Sequence, residues 1–85
     1  MIIFDQDGNA VEVTHCRLKI SQFGYFKGDI AKIVQMNLST YRVFVPNRAS
    51  TSPHAPVVNY RFDLVKFCHP DGKLIRTYNQ SKFEN

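Results

Sequence analysis

Short alternations of apolar and polar residues follow one another along nearly the whole chain, and nowhere do apolar residues recur at helical spacing. Val, Ile, Tyr, Phe and Thr, which favour strands, are concentrated in these runs. The pattern predicts a single all-β domain of about five to six short antiparallel strands. The domain spans residues 1–78, and residues 79–85 form a C-terminal tail.

Two Asp-Gly pairs mark tight hairpin turns near the two ends of the chain. Asp7-Gly8 follows a strand over Ile2–Phe4, and Asp71-Gly72 precedes a last strand over residues 73–78. Aspartate and glycine tolerate the positive φ angles that a two-residue hairpin turn requires. Both ends of the domain are therefore predicted to be hairpins.

Two of the predicted strands change the face on which their apolar residues lie. In the strand from Ala10 to Ile20 this change predicts a bend between Thr14 and Arg17, and in the strand from 57 to 68 a bend near Leu64. A bent strand can take part in two sheets of a small barrel. We therefore expect a small, strongly bent antiparallel barrel.

The middle of the chain contains two strands followed by a proline-rich segment. Ile30–Met36 and Tyr41–Val45 alternate, and the four residues between them form a turn. Pro46–Pro56 contains three prolines, which regular sheet does not accommodate, so this segment is an exposed loop. Such a loop is either a binding element or disordered. If it binds, Arg48 and His54 are its polar contacts.

The composition adds a mild preference for anionic partners. The 85 residues include 11 Lys and Arg against 7 Asp and Glu, which gives a formal charge of +4 and a pI near 9.3. The first residues lack the basic and apolar regions of a secretion signal. No apolar run approaches the roughly 20 residues that cross a bilayer. These features predict a cytoplasmic protein with no membrane partner.

The most informative segment runs from Arg17 to Val45. Alternating Leu18 and Ile20 precede Gly24-Tyr25-Phe26-Lys27-Gly28, which is followed by Ala31-Lys32-Ile33 and another alternating strand. This order resembles the KOW motif of several ribosomal proteins and NusG-type transcription factors. In that family a basic residue followed by glycine lies in a loop between two strands of a Src-homology-type small barrel. Lys27-Gly28 matches that pair, while Ala31 stands where the family usually has a second glycine.

The resemblance implies contact with RNA, or with the transcription or translation machinery, through loops and outer strand faces. Aromatic rings stack on unpaired bases, and Lys and Arg neutralise phosphates. The implied binding residues are Lys19, Tyr25, Phe26, Lys27, Lys32, Arg42, Arg48 and Arg61. In the alternative, Tyr25 and Phe26 pack in the core and the charges solvate the outer faces. The predicted turn glycines are Gly8, Gly24, Gly28 and Gly72.

Residue types suited to metal binding are present, but their spacing argues against a metal site. His15-Cys16 and Cys68-His69 supply two cysteines and two histidines, the types that bind zinc. Adjacent strand residues point to opposite faces, so these four side chains do not converge unless bends redirect them. Asp5, Asp7 and Asn9 suit a hairpin turn better than a calcium loop. We expect two buried thiols and no metal.

Catalytic residues are not predicted either. His15, Cys16 and Asp63 have the types of a nucleophile, a base and an orienting acid, but nothing in their spacing supports such a set. A chain of this size offers little room for a deep, water-excluding cleft. The sequence therefore predicts a protein that is not an enzyme and that carries no cofactor.

Three binding hypotheses remain open from the sequence. The first is a module that binds RNA or DNA, or a nucleoprotein complex of transcription or translation. The second is a small protein-protein adaptor, including an accessory protein of a phage or mobile element that binds a host protein through exposed strand edges. The third is a homodimer that completes its barrel by edge pairing.

Overall fold

The computed structural model describes residues 1–49 and 57–77, which form an all-β protein with two antiparallel sheets. The strands are β1 (Ile2–Phe4), β2 (Ala10–Glu12), β3 (His15–Leu18), β4 (Ile30–Met36), β5 (Thr40–Phe44), β6 (Val58–Arg61) and β7 (Val65–Cys68). A helical turn, α1 (Pro46–Ala49), follows β5, and a 3-10 turn over Phe62–Leu64 joins β6 to β7. Neither turn in these ranges is long or apolar enough to cross a membrane.

The predicted first hairpin is confirmed as a separate two-stranded sheet of β1 and β2. The Asp5 carboxylate accepts the backbone N–H groups of Asp7 and Asn9, both at 2.9 Å, which fixes the turn. After β2 the extended strand is interrupted at residues 13–14, and the chain then enters the larger sheet as β3. The predicted bend is therefore a passage between two sheets, and it begins at Val13, one residue earlier than expected.

The five other strands form one sheet in the order β6-β5-β4-β3-β7. Its two edge strands, β6 and β7, are separated by only the three residues of Phe62–Leu64. A flat sheet would hold these edges about 19 Å apart, four spacings of about 4.8 Å, whereas a three-residue 3-10 turn advances about 6 Å. The sheet is therefore strongly curved. The predicted bend near Leu64 is confirmed as this connection.

The inner face of the curved sheet forms the core. Cys16, Ala31, Val43 and Tyr60, one from each of β3, β4, β5 and β6, are fully buried. They are the inward members of the alternation seen in the sequence, and their strand neighbours point outward. The rest of the buried cluster consists of Val13, Leu18, Tyr25, Tyr41, Val45, Val65, Phe67 and Ile75.

The predicted last strand over residues 73–78 is not regular over the residues described. The turn before it is present, since the His69 N–H donates to the Lys73 carbonyl at 2.9 Å. Beyond it only two isolated bridges form, one joining Leu74 to Cys68 and one joining Thr77 to Asp5. The segment divides its hydrogen bonds between the two sheets, so no continuous ladder develops.

The proline-rich loop begins as a helical turn at Pro46–Ala49. Proline suits the first position of a helix because its fixed φ is helical and its missing N–H would have no partner there. The prediction for the rest of this loop, including His54, lies outside the described residues, as does the tail at 79–85.

The buried Cys16 thiol should make this core less stable as the pH becomes alkaline. Burial, reinforced by the nearby Cys68, raises the pKa of the Cys16 thiol to about 12, whereas an exposed thiol titrates near 9.0. Between these values the unfolded state binds fewer protons than the folded state. The free energy of unfolding should then fall with rising pH by up to about 1.4 kcal/mol per pH unit.

Urea unfolding at about pH 8 and about pH 10.5 measures this slope. Cys16→Ala should show a shallower decline. Some decline should remain, because burial also raises the pKa values of Tyr41, Tyr60 and Cys68. Equal slopes in the variant and the natural protein would contradict the assignment to Cys16.

Candidate functional site

The outer face of the large sheet carries positive charge alone. Its five strands contain five Lys or Arg residues and no Asp or Glu. None of the five is buried, because each alternates with inward residues. By contrast, residues 1–12 contain three acidic residues and neither Lys nor Arg. The basic strand residues are Arg17, Lys32, Arg42, Arg61 and Lys66.

Two of these residues lie directly opposite each other at one end of the sheet. Arg17 on β3 is the antiparallel partner of Lys66 on β7. Like charges in this position destabilise a strand pair. They line an open groove of about 640 Å³, whose full lining is Arg17, Leu18, Lys19, Lys27, Gly28, Lys66 and Leu74. Four basic residues and no acidic residue in one groove suit a ligand with several negative charges.

The connection between β3 and β4, residues 19–29, is here named the β3–β4 loop. It folds back on itself, and Gln22 and Tyr25 exchange both backbone hydrogen bonds at 3.0 Å. Nearer its base, the Gly28 N–H donates to the Leu18 carbonyl at 2.8 Å, and the Lys27 N–H donates to a serine hydroxyl at 2.8 Å. These bonds fix Lys27 at the edge of the groove.

The tip of this loop presents an aromatic ring to solvent. Phe23 and Gly24 have φ angles of 54° and 87°, the two positive values of a type I′ turn. Glycine adopts this conformation without strain, but phenylalanine does not. The Phe23 side chain is 75% exposed. An unburied ring is thus held at the end of a tight turn.

Tyr60 of β6 anchors the loop to the core. Its fully buried side chain directs the hydroxyl to the carbonyl of Ile20, at 3.0 Å, and to that of Gln22, at 3.4 Å. The Gln22 side-chain amide donates in turn to the Asn59 carbonyl at 3.3 Å. The loop is therefore fastened across the sheet to the opposite edge strand.

A second clamp joins the loop to α1. Arg48 donates two hydrogen bonds to the Asp29 carboxylate, at 3.0 and 3.1 Å, and the Arg48 hydrogen bond lowers the pKa of Asp29. The same guanidinium lies 4.3 Å from the centre of the Phe26 ring, a cation-π distance. Arg48 therefore positions the loop, and it covers one side of Phe26, which is 51% exposed.

The structure places the predicted binding residues in different surroundings. Lys19 and Lys27 line the groove. Tyr25 is only 5% exposed and belongs to the core, as in the alternative interpretation of the sequence, so its ring is not exposed for stacking on a base. The reversal of the chain at the preceding turn directs its ring inward. Phe23, which is not among the predicted binding residues, takes the exposed position instead.

Three other predicted basic residues lie on the strands but do not line the groove. Lys32 is on the outer face of β4. Arg42 donates to the Gln35 side chain at 3.1 Å, and Arg61 forms an ion pair with Asp63 at 2.9 Å. The predicted turn glycines are confirmed, since Gly8, Gly24, Gly28 and Gly72 all have positive φ angles.

Sequence reasoning missed Arg17 and Lys66 as members of the site. Arg17 lies at one predicted bend and Lys66 follows the other. The sequence therefore predicts no residue opposite either of them on a neighbouring strand. Only the register between β3 and β7 brings them together. For Phe23 a local signal exists, because Phe-Gly occupies the centre of a turn where Asn-Gly is typical.

In the part of the chain that the structure describes, the residue types suited to metal binding are not grouped together. Cys16 points into the core, Cys68 is also buried, and both are free thiols. Asp63 is paired with Arg61, and Asp5 accepts the hydrogen bonds of its own turn. Within residues 1–49 and 57–77, no three His, Cys, Asp or Glu side chains are grouped so that they could hold a metal ion.

No protein-family model, curated protein or solved structure matches this chain.

Removal of the Tyr60 hydroxyl should loosen the β3–β4 loop. Tyr60→Phe keeps the ring in the core but deprives the Ile20 carbonyl of its donor, which should lower the free energy of unfolding by about 1 kcal/mol. Hydrogen exchange of the loop amides should also accelerate. Tyr41→Phe is the matched control, because the Tyr41 hydroxyl has no hydrogen-bond partner among the described residues. Equal effects of the two substitutions would refute the anchoring role.

Proposed function

We propose that this chain is a non-enzymatic module that binds nucleic acid through the groove between the β3–β4 loop and β7. The observation that carries the proposal is the juxtaposition of Arg17 and Lys66 in a groove that also contains Lys19 and Lys27. Four positive charges gathered in one groove repel one another, and a polyanion would relieve that repulsion. A phosphate backbone supplies negative charges at regular intervals.

The fold proposed for this module is a small barrel of the Src-homology type. The strand order and the three-residue connection between the edge strands support it, because that connection requires the sheet to curl. The hydrogen bond from the Lys19 N–H to the Leu64 carbonyl, at 2.8 Å, links the start of the β3–β4 loop to the end of that connection.

The KOW resemblance supports RNA, or a nucleoprotein complex of transcription or translation, as the partner. Lys27 and Gly28, the pair that carries the resemblance, lie in the loop between β3 and β4, and Lys27 lines the groove. A flexible lysine next to a glycine leaves room for a backbone phosphate to approach.

A protein partner is the second candidate, and the β1–β2 hairpin favours it. Ile2 and Phe4 are both largely exposed on one face of β1, which belongs to a two-stranded sheet. An exposed apolar strand is a typical docking element.

A pull-down from nuclease-treated lysate distinguishes the candidates, because a stoichiometric protein retained without nucleic acid would favour the adaptor. A mass that rises with concentration would favour a homodimer.

Binding to oligonucleotides should depend steeply on salt. If the four groove residues neutralise phosphates, the logarithm of the binding constant should fall as the logarithm of the salt concentration rises. For a single strand the slope should reach about −3, because each contact contributes about 0.7. Fluorescence anisotropy with labelled RNA and DNA, at salt between about 50 and 200 mM, measures this slope. Absence of binding at the lowest salt would refute the proposed function.

Arg17→Gln should weaken binding several-fold and make the salt slope shallower by about 0.7 to 1. Arg76→Gln is the matched control, because it removes the same charge from an exposed residue outside the groove lining. Its backbone carbonyl accepts a hydrogen bond from Gln6, which places it beside the acidic hairpin. Equal losses from the two substitutions would show that the overall charge, and not the groove, attracts the ligand.

A further inference from the structure

The backbone of Phe23 is conformationally strained, and the packing of its side chain does not offset that strain. It is the one residue other than glycine with a positive φ among residues 1–49 and 57–77. For a bulky side chain this conformation is a strained outlier. Burial of the ring would compensate, but 75% of the side chain is exposed. Neither backbone preference nor core packing accounts for phenylalanine here.

The turn that carries Phe23 is fixed on both flanks. On one side the Gln22 carbonyl accepts from the Tyr60 hydroxyl, and on the other Asp29 is clamped by Arg48. The Asp29 carboxylate also accepts the Phe26 N–H at 2.9 Å. A ring displayed by a braced turn loses little conformational entropy when a ligand stacks on it.

The ring lies within reach of the basic groove. Lys19 and Lys27 each stand four residues from Phe23, so their Cα atoms are at most about 14 Å from that of Phe23. A strand of about four nucleotides spans a similar distance at about 3.4 Å or more per nucleotide. One short strand can therefore contact both the ring and the groove.

We infer that the preferred ligand is single-stranded nucleic acid and that Phe23 stacks on one of its unpaired bases while the phosphates follow the groove. This inference rests on the proposed nucleic-acid function. Stacking requires a free base face, which a single strand offers along its length and a continuous duplex offers only at its ends. The charged groove beside the ring favours this polyanion over an apolar protein surface.

Phe23→Asn tests the inference because it separates stability from binding. Asn-Gly is the preferred pair at the centre of a type I′ turn, so the variant should fold with equal or greater stability. Loss of the ring should weaken binding to single-stranded oligonucleotides about tenfold. Binding to a blunt duplex of the same length should change much less, because only its two ends offer a free base face. Urea unfolding and anisotropy, with matched RNA and DNA probes, give these quantities.

Two further variants control for general effects. Phe23→Tyr keeps a stacking ring and should retain the affinity of the natural protein for single strands. Leu38→Asn removes an exposed apolar side chain from the turn between β4 and β5 and should leave binding unchanged. RNA and DNA single strands that bind alike would indicate stacking and charge alone, whereas a preference for RNA would add a contact to the ribose hydroxyl.

The outcomes separate this inference from the proposed function. If Phe23→Asn binds single strands as tightly as the natural protein, stacking by Phe23 is refuted. If the duplex binds as tightly as the single strand, the preference for single strands is refuted. In both cases a nucleic-acid groove remains. If no probe binds at low salt, the groove function and the stacking role are both refuted.

Discussion

The connection between β6 and β7 is the constraint on which the rest of the structure depends. Three residues, Phe62–Leu64, join the opposite edges of a five-stranded sheet. The sheet has to curve until those edges approach, and a curved sheet has a crowded inner face. That crowding explains why small residues such as Cys16 and Ala31 are fully buried beside the large ring of Tyr60. A bulkier residue at either position would force the strands apart.

The same curvature positions the candidate site. Because the sheet curls, the loop that leaves β3 can reach β6, where the Tyr60 hydroxyl holds it from within the core. A side chain of the core thus orders a surface loop. The base of that loop meets β7 on its other side, and Lys27 is brought to the groove that Arg17 and Lys66 also line. Core packing and site geometry are therefore coupled through one tyrosine.

Local patterns predicted most of the elements, and non-local pairing decided the site. Alternation gave the bounds of β4 as the structure has them, and the Asp-Gly pairs and the bend near Leu64 were recognised from neighbouring residues alone. The pairing of β3 with β7 could not be predicted in this way, because the two strands are far apart in sequence and meet only when the sheet curls. The sequence did not show that Tyr25 is buried and Phe23 is exposed, because the side-chain directions depend on which residues form the turn.

Two departures from local preference lie on the surface formed by the groove and its loop. Arg17 faces Lys66 across a strand pair, and Phe23 occupies a turn position that suits asparagine. Each costs on the order of 1 kcal/mol, which a marginally stable domain tolerates but does not gain from. Violations of this kind are expected where function opposes folding. The charges suit an anion and the ring suits a flat apolar face, and the nucleotide strand that we propose as the ligand would combine the two.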